Sequence, residues 1–186
     1  MHTGLFFGSF NPIHHGHLIV AEYLREHAGL DEVWFVVSPA NPFKDEAELW
    51  PAEKRLELVR TAIADNPGFR LCDLEFHLPR PSYTARTLEK LLEAHPDRRF
   101  SLLMGSDTLE ALPRWKDSDF LQRSFHQLLV YRRQGTLTDA AGLGFPEKLR
   151  SFDAPYIDLS ATYVRRMMAD GKSLRYLVPD SILQLL

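Results

Sequence analysis

A chain of 186 residues, 45% of them hydrophobic, is long enough to bury one ordinary core, so a single domain over residues 1–186 is expected. Its 22 basic and 25 acidic residues leave a net charge of -3, which argues against chain-wide attraction to nucleic acid or an anionic membrane and makes any phosphate binding local. Cys72 is the sole cysteine, which excludes an intrachain disulfide and a thiolate zinc site. With no secretory signal and no apolar run of about 20 residues, a cytoplasmic protein is expected.

Gly4-Leu5-Phe6-Phe7 is a short apolar run between turn formers, which predicts a strand buried on both faces. It passes through Gly8-Ser9-Phe10-Asn11-Pro12-Ile13-His14-His15-Gly16-His17 into a segment where Leu18, Ala21, Tyr23, Leu24 and Ala28 recur at roughly helical spacing. Glu32 to Val37, rich in β-branched and aromatic residues and stopped by Pro39, predicts a second strand. After a loop from Ser38 to Trp50, Pro51 opens a helix with Leu56, Val59 and Ile63 along one face. Phe69 to Leu74 reads as a third strand, and Tyr83 to Ala94 as a helix. Phe100 to Met104 is a fourth strand, ending at the turn Gly105-Ser106-Asp107. Gln127 to Tyr131 is a fifth, followed by a glycine-containing region that ends near Phe152. Tyr156 to Leu159 reads as a last strand, then a helix starts near Ser160 and Pro179 opens a short one.

Such alternation predicts an α/β fold with a doubly wound, mostly parallel sheet, whose ligands bind beyond the C-terminal strand ends. Three polar segments follow strands: the histidine turn, Gly105-Ser106-Asp107, and the helix start from Ser160 to Arg165. All three are expected at one sheet edge, with the C-terminal helical part from about residue 160 completing a phosphate site. No G-x-x-x-x-G-K-[ST] or G-x-G-x-x-G sequence occurs, and Ser38-Pro39 ends the second strand where a dinucleotide oxidoreductase has an acid. His14 and His17, three apart at a helix start, suit hydrogen bonding to phosphates, and Gly16 between them lets backbone approach. Zinc binding and plain structural or solvated histidines are the other readings of the cluster. Ser160 is an N-cap candidate, while Thr162 and Arg165 share a helical face and Arg grips phosphate oxygens in pairs. Arg166 reads as solvated, Cys72 as a packed small residue, and Asp73 and Glu75 as solvated strand-end carboxylates.

Gly8-Ser9-Phe10-Asn11-Pro12 with His14-His15-Gly16-His17, joined to Ser160-x-Thr162-x-x-Arg165, resembles the (H/T)-x-G-H and S-x-T-x-x-R signatures of the nucleotidylyltransferase superfamily. Pro81 to Leu88, Gly105 to Leu109 with Trp115, and Leu177-Val178-Pro179 are similar to the nicotinate-nucleotide adenylyltransferases of bacterial NAD synthesis. The resemblance spans about residues 4 to 182 and implies a Rossmann-like nucleotidylyltransferase fold. It also implies adenylyl transfer from ATP to nicotinate mononucleotide, giving deamido-NAD and pyrophosphate, with Mg²⁺ carried by the triphosphate and no dedicated metal site. By resemblance His14, His17 and Arg165 are the catalytic phosphate ligands. Gly8, Ser9, Phe10, Gly16, Lys44, Ser160 and Thr162 line the ATP phosphates, and Gly105 and Asp107 lie beside the ribose. Thr84 offers its N–H to the nicotinate carboxylate, and Trp115 stacks on the ring. Lys44 has the alternative reading of a surface lysine, Trp115 of a packed aromatic, and Asp107 of an N-cap for a helix containing Leu109 and Leu112.

The sequence departs from the family's Gly-Gly-Ser-Phe-Asp-Pro at Phe7 and Asn11. The acceptor rivals are phosphopantetheine and a sugar or polyol phosphate, and a non-catalytic nucleotide-sensing module is the rival from another class. Acid against amide preference and oligomeric state stay open, a homo-oligomer included.

Overall fold

In the computed structural model, which describes residues 1–42, 45–132 and 148–186, the described strands form one parallel sheet of six. They are β1 (His2–Gly8), β2 (Glu32–Val37), β3 (Phe69–Cys72), β4 (Arg99–Gly105), β5 (Leu128–Tyr131) and β6 (Leu149–Phe152), in the spatial order β3-β2-β1-β4-β5-β6. The chain builds outward from β1 to β3, returns to lay β4 beside β1, and builds outward again, which is the expected doubly wound arrangement. The order reverses between β1 and β4, whose register sets Phe6 against Leu103.

Strand side chains alternate between faces, so each apolar run feeds two cores. On one face Phe6, Phe35 and Val37 pack against α1 (His15–Ala28) and α2 (Ala52–Ala62) through Ala21, Leu24, Leu58 and Val59. On the other, Leu5, Trp34, Val36 and Leu102 pack against α3 (Thr84–Ala94) through Leu88 and Leu91. Beyond β4 lie the short α4 (Ser106–Leu109) and α5 (Ser118–Ser124), and α6 (Ala161–Ala169) anchors the first core with Val164. Among the described residues no helix is long and apolar enough to cross a membrane.

Two expectations are corrected. The sixth strand is Leu149–Phe152 and not Tyr156 to Leu159. Leu-Arg-Ser-Phe at the sheet edge buries only Phe152 well, so its sequence lacks alternation. Tyr156 to Leu159 follows Pro155, which has no N–H to donate, and the Leu159 N–H turns back onto the Ile157 carbonyl at 2.8 Å. The helix after β4 begins at Ser106 with Gly105 as its N-cap, so Asp107 lies in its first turn and is not the cap.

Phe35 is fully buried, with ring centroids 5.7 Å from Phe6, 5.6 Å from Phe10 and 5.1 Å from Phe69. Phe35→Ala is expected to cost about 3–5 kcal/mol in urea unfolding, and a loss under about 1 kcal/mol would contradict this packing.

Candidate active site

The turn after β1 is built from the core outward. The Ser38 N–H donates to the Gly8 carbonyl at 2.9 Å, tying the strand end to β2. Phe10 then takes φ 43°, in the left-handed region that non-glycine residues seldom occupy. Its ring, 3% exposed, packs 5.1 Å from the His17 ring and beside Phe35, which holds that conformation in place. A Cβ on Gly8 would sit 2.8 Å from the Phe10 ring, so the glycine makes room for the phenylalanine. Ser9 borders the adjoining cavity, and its buried Oγ has no hydrogen-bond partner among the described residues. A buried hydroxyl in that state favours a polar ligand.

The histidines sit where α1 begins. His14 is the N-cap residue in extended conformation, and its backbone N–H donates to His17 Nδ1 at 3.3 Å. Accepting at Nδ1 leaves the proton of a neutral His17 on Nε2, which makes that nitrogen a donor. The two rings stack at 3.8 Å with an interplanar angle of 27°. A Cβ on Gly16 would lie 3.0 Å from His14 Nδ1, so the glycine makes room for the ring. No acidic residue occupies the first turn of α1; the His15 N–H donates to the Leu177 carbonyl and the His17 N–H to the His14 carbonyl, both at 3.0 Å, and the helix dipole favours an anion at this end.

Arg165 reaches this turn from the far end of the chain. Its Nη1 donates to the Asn11 carbonyl at 2.7 Å, and its Nη2 to Thr162 Oγ1 at 3.3 Å. Ser160 is the N-cap of α6, its Oγ accepting from the Tyr163 N–H at 3.1 Å, which matches its capping reading. Ser160 also borders a second cavity with His14, Gly16 and His17.

A cavity of about 600 Å³ opens at the switch point between β1 and β4. Gly8 to Asn11 and His17 bound one side, Gly105 and Asp107 another, and Thr84 with Trp115 the third. The second cavity, about 450 Å³, shares His17, Asp107 and Tyr131 with the first, so the two adjoin across those side chains. Trp115 is half-buried and packs against the second core, as its packed-aromatic reading expects, and it also lines the first cavity. Lys44 lies outside the described residues.

Three residues of this region carry roles that the sequence reading did not assign. Asn11 donates from Nδ2 to the Glu48 carbonyl at 3.0 Å and accepts at Oδ1 from the Trp50 N–H at 3.0 Å. An ionised carboxylate accepts only, so the amide at this position suits both bonds at once. Arg55 is buried beneath the turn, on the same helical face as Leu58 and Val59. Its signal in the sequence is an arginine at a core-facing position. Glu75, expected as a solvated carboxylate, is instead 2% exposed, because the chain after β3 folds into a short 3-10 helix that turns it inward. Asp73 is exposed, as expected. Burial also pushes the Cys72 thiol up to about 11, in keeping with a packed and unreactive cysteine.

Burial raises the Glu75 carboxyl above its ordinary value of 4.5, against the opposing effect of the Ser38, Thr87 and Ser82 hydroxyls around it. A raised folded-state value means that this stability is fully present below the unfolded value and is lost as pH climbs through the folded one. Glu75→Gln abolishes the titration, so the variant's stability relative to the parent should rise between about pH 4 and pH 8 in urea unfolding. A pH-independent difference would show that the carboxyl is not shifted upward.

The Cytidylyltransferase-like family pattern matches residues 5–167. A Bacteroides fragilis protein named "Probable nicotinate-nucleotide adenylyltransferase" is 48% identical over 180 residues, covering 97% of this chain and 88% of its own. One of the same name from Cytophaga hutchinsonii is 42% identical over 186 residues, covering 100% of this chain and 95% of its own. Among solved structures, Plasmodium falciparum nicotinic acid mononucleotide adenylyltransferase complexed with NaAD superposes with a TM-score of 0.81 at 20% identity, covering 98% of this chain and 95% of its own. At that identity the superposition speaks to the fold.

Proposed function

Because the chain belongs to the nicotinate-nucleotide adenylyltransferases within the cytidylyltransferase-like family, we propose that it transfers the adenylyl group of ATP to nicotinate mononucleotide, releasing pyrophosphate and forming deamido-NAD. The observation that carries this reading is the meeting of the histidine turn, Asp107, Thr84 and Trp115 around one cavity, with Arg165 hydrogen-bonded to the turn.

A phosphate oxygen of the acceptor attacks the α-phosphorus of ATP as the bond to the bridging oxygen breaks, and the electron pair leaves with pyrophosphate. The attacking oxygen is already ionised at neutral pH, so no side chain has to remove a proton. The protein's work is alignment and charge stabilisation. Nε2 of His17 and the Arg165 guanidinium are preorganised donors for the charge that moves onto the leaving group, and the dipole of α1 adds to them. Ser9 Oγ adds a donor that is otherwise unpaired. Mg²⁺ enters with the triphosphate as part of that substrate. Among the described residues no three His, Cys, Asp or Glu side chains gather to hold a metal ion.

At the acceptor end, Ser82, Tyr83 and Thr84 bring the N-terminus of α3 to the cavity. This helix of 11 residues has no acidic residue in its first turn and no side-chain cap, so its first N–H groups and its dipole suit a carboxylate. Arg114 and Lys116 border the same space and add positive charge.

The test is pyrophosphate release with MgATP and, in turn, nicotinate mononucleotide, nicotinamide mononucleotide and phosphopantetheine. The nicotinate substrate should be preferred. Preference for phosphopantetheine would overturn the assignment, and nucleotide binding without turnover would favour a sensing module. His17→Ala should lower kcat by about 10²-fold or more with the fold intact, as loss of a transition-state donor does. An unchanged kcat would remove His17 from the mechanism. Thr84→Pro deletes a single N–H at a helix position that accepts proline, after a residue already extended at ψ 123°. It should cost the nicotinate substrate about tenfold in kcat/KM while sparing the amide, as loss of one bond to a charged group predicts. Equal losses for acid and amide would contradict carboxylate recognition at this helix end.

A further inference from the structure

The Arg55 guanidinium lies beneath the phosphate turn, 1% exposed. Nε donates to the Trp50 carbonyl at 2.9 Å, Nη1 to the Ser9 carbonyl at 2.6 Å and the Ser38 carbonyl at 2.9 Å, and Nη2 to the Pro39 carbonyl at 3.0 Å. These four acceptors come from the loop before α2, the turn after β1 and the end of β2. The same β2 end supports the acceptor wall. Ala40 accepts from the Ser82 N–H at 2.9 Å, and the Ser38 hydroxyl faces the buried Glu75 carboxyl, which accepts from Thr87 Oγ1 on α3 at 2.9 Å. Hydrogen bonds of Arg55 and of Ala40, linked through the backbone of Ser38 to Ala40, therefore join Ser9, beside the proposed triphosphate, to Ser82, beside the proposed acceptor.

We propose that Arg55 is a positioning residue for adenylyl transfer, its planar fork fixing the distance between the phosphate turn and the acceptor wall. The inference rests on the transferase reading, since only a reaction between two bound partners needs that distance held. Misplacement of reacting atoms by about 1 Å costs about 10²-fold in rate. A lysine carries the charge as a compact point and cannot address carbonyls on several sides of a plane.

The test is steady-state kinetics of Arg55→Lys and Arg55→Ala with MgATP and nicotinate mononucleotide, alongside thermal melting. Both variants should lose about 10²-fold in kcat while each KM stays within about threefold, and methylguanidinium but not methylammonium should restore part of the alanine variant's kcat. Wild-type kcat in the lysine variant, a raised KM at unchanged kcat, or a loss equal to the unfolded fraction would each overturn the proposal. The wild-type enzyme separates the two readings: no turnover with nicotinate mononucleotide sinks the activity, whereas normal turnover with undiminished variants sinks only the role of Arg55. If the variants do not fold, hydrogen exchange on the wild-type protein decides. The amides of Ser9 to Asn11 and of Ser38 and Ala40 should open as one unit, and independent opening would overturn the clamp.

Discussion

Everything in this molecule depends on the common direction of its strands. Because β1, β4 and β5 run parallel, the segments that leave them emerge at one edge of the sheet. There the order reverses between β1 and β4, and the two halves diverge to leave a cleft. The side chains at that cleft are otherwise scattered through the sequence, from Ser9 to Arg165. The contact of Arg165 with the Asn11 carbonyl closes this edge across 154 residues of chain.

The turn after β1 shows how packing prepares a polar site. Phe10 puts its ring into the aromatic group around Phe35, and that burial supports a backbone conformation that few side chains accept. His17 packs edge-on against the same ring while its Nδ1 takes the His14 N–H. The imidazole is thereby fixed in position and in tautomer before any ligand arrives. Beneath it Arg55 and Asn11 satisfy carbonyls and amides that an irregular loop would otherwise leave buried and unpaired. Preorganisation of this kind places donors without reordering them during the reaction.

The layers of the fold were legible because a buried parallel strand writes a continuous apolar run, as in Glu-Val-Trp-Phe-Val-Val, and the helices carry apolar faces at helical spacing. The edge strand Leu149–Phe152 was not, since one buried residue in four makes no pattern. At the site, the motifs anticipated which side chains gather: His14, His17, Gly105, Asp107, Thr84 and Trp115 border the adjoining cavities, and Arg165 meets the turn they share. Motifs did not disclose the supports. Composition near a strand end says nothing of the inward turn that buries Glu75, and an arginine on a helix is so commonly exposed that its type gives no sign of the burial of Arg55. Both are satisfied by partners distant in sequence, which local spacing does not encode.

In the proposed reaction the opening histidine turn and Arg165 hold one polyphosphate between them. The decisive experiment is a double-mutant cycle of His17→Ala and Arg165→Ala on pyrophosphate binding, measured by calorimetry. A shared ligand predicts a coupling of about 1 kcal/mol or more between the two substitutions, whereas effects that add within about 0.3 kcal/mol would mean that the two groups serve separate places.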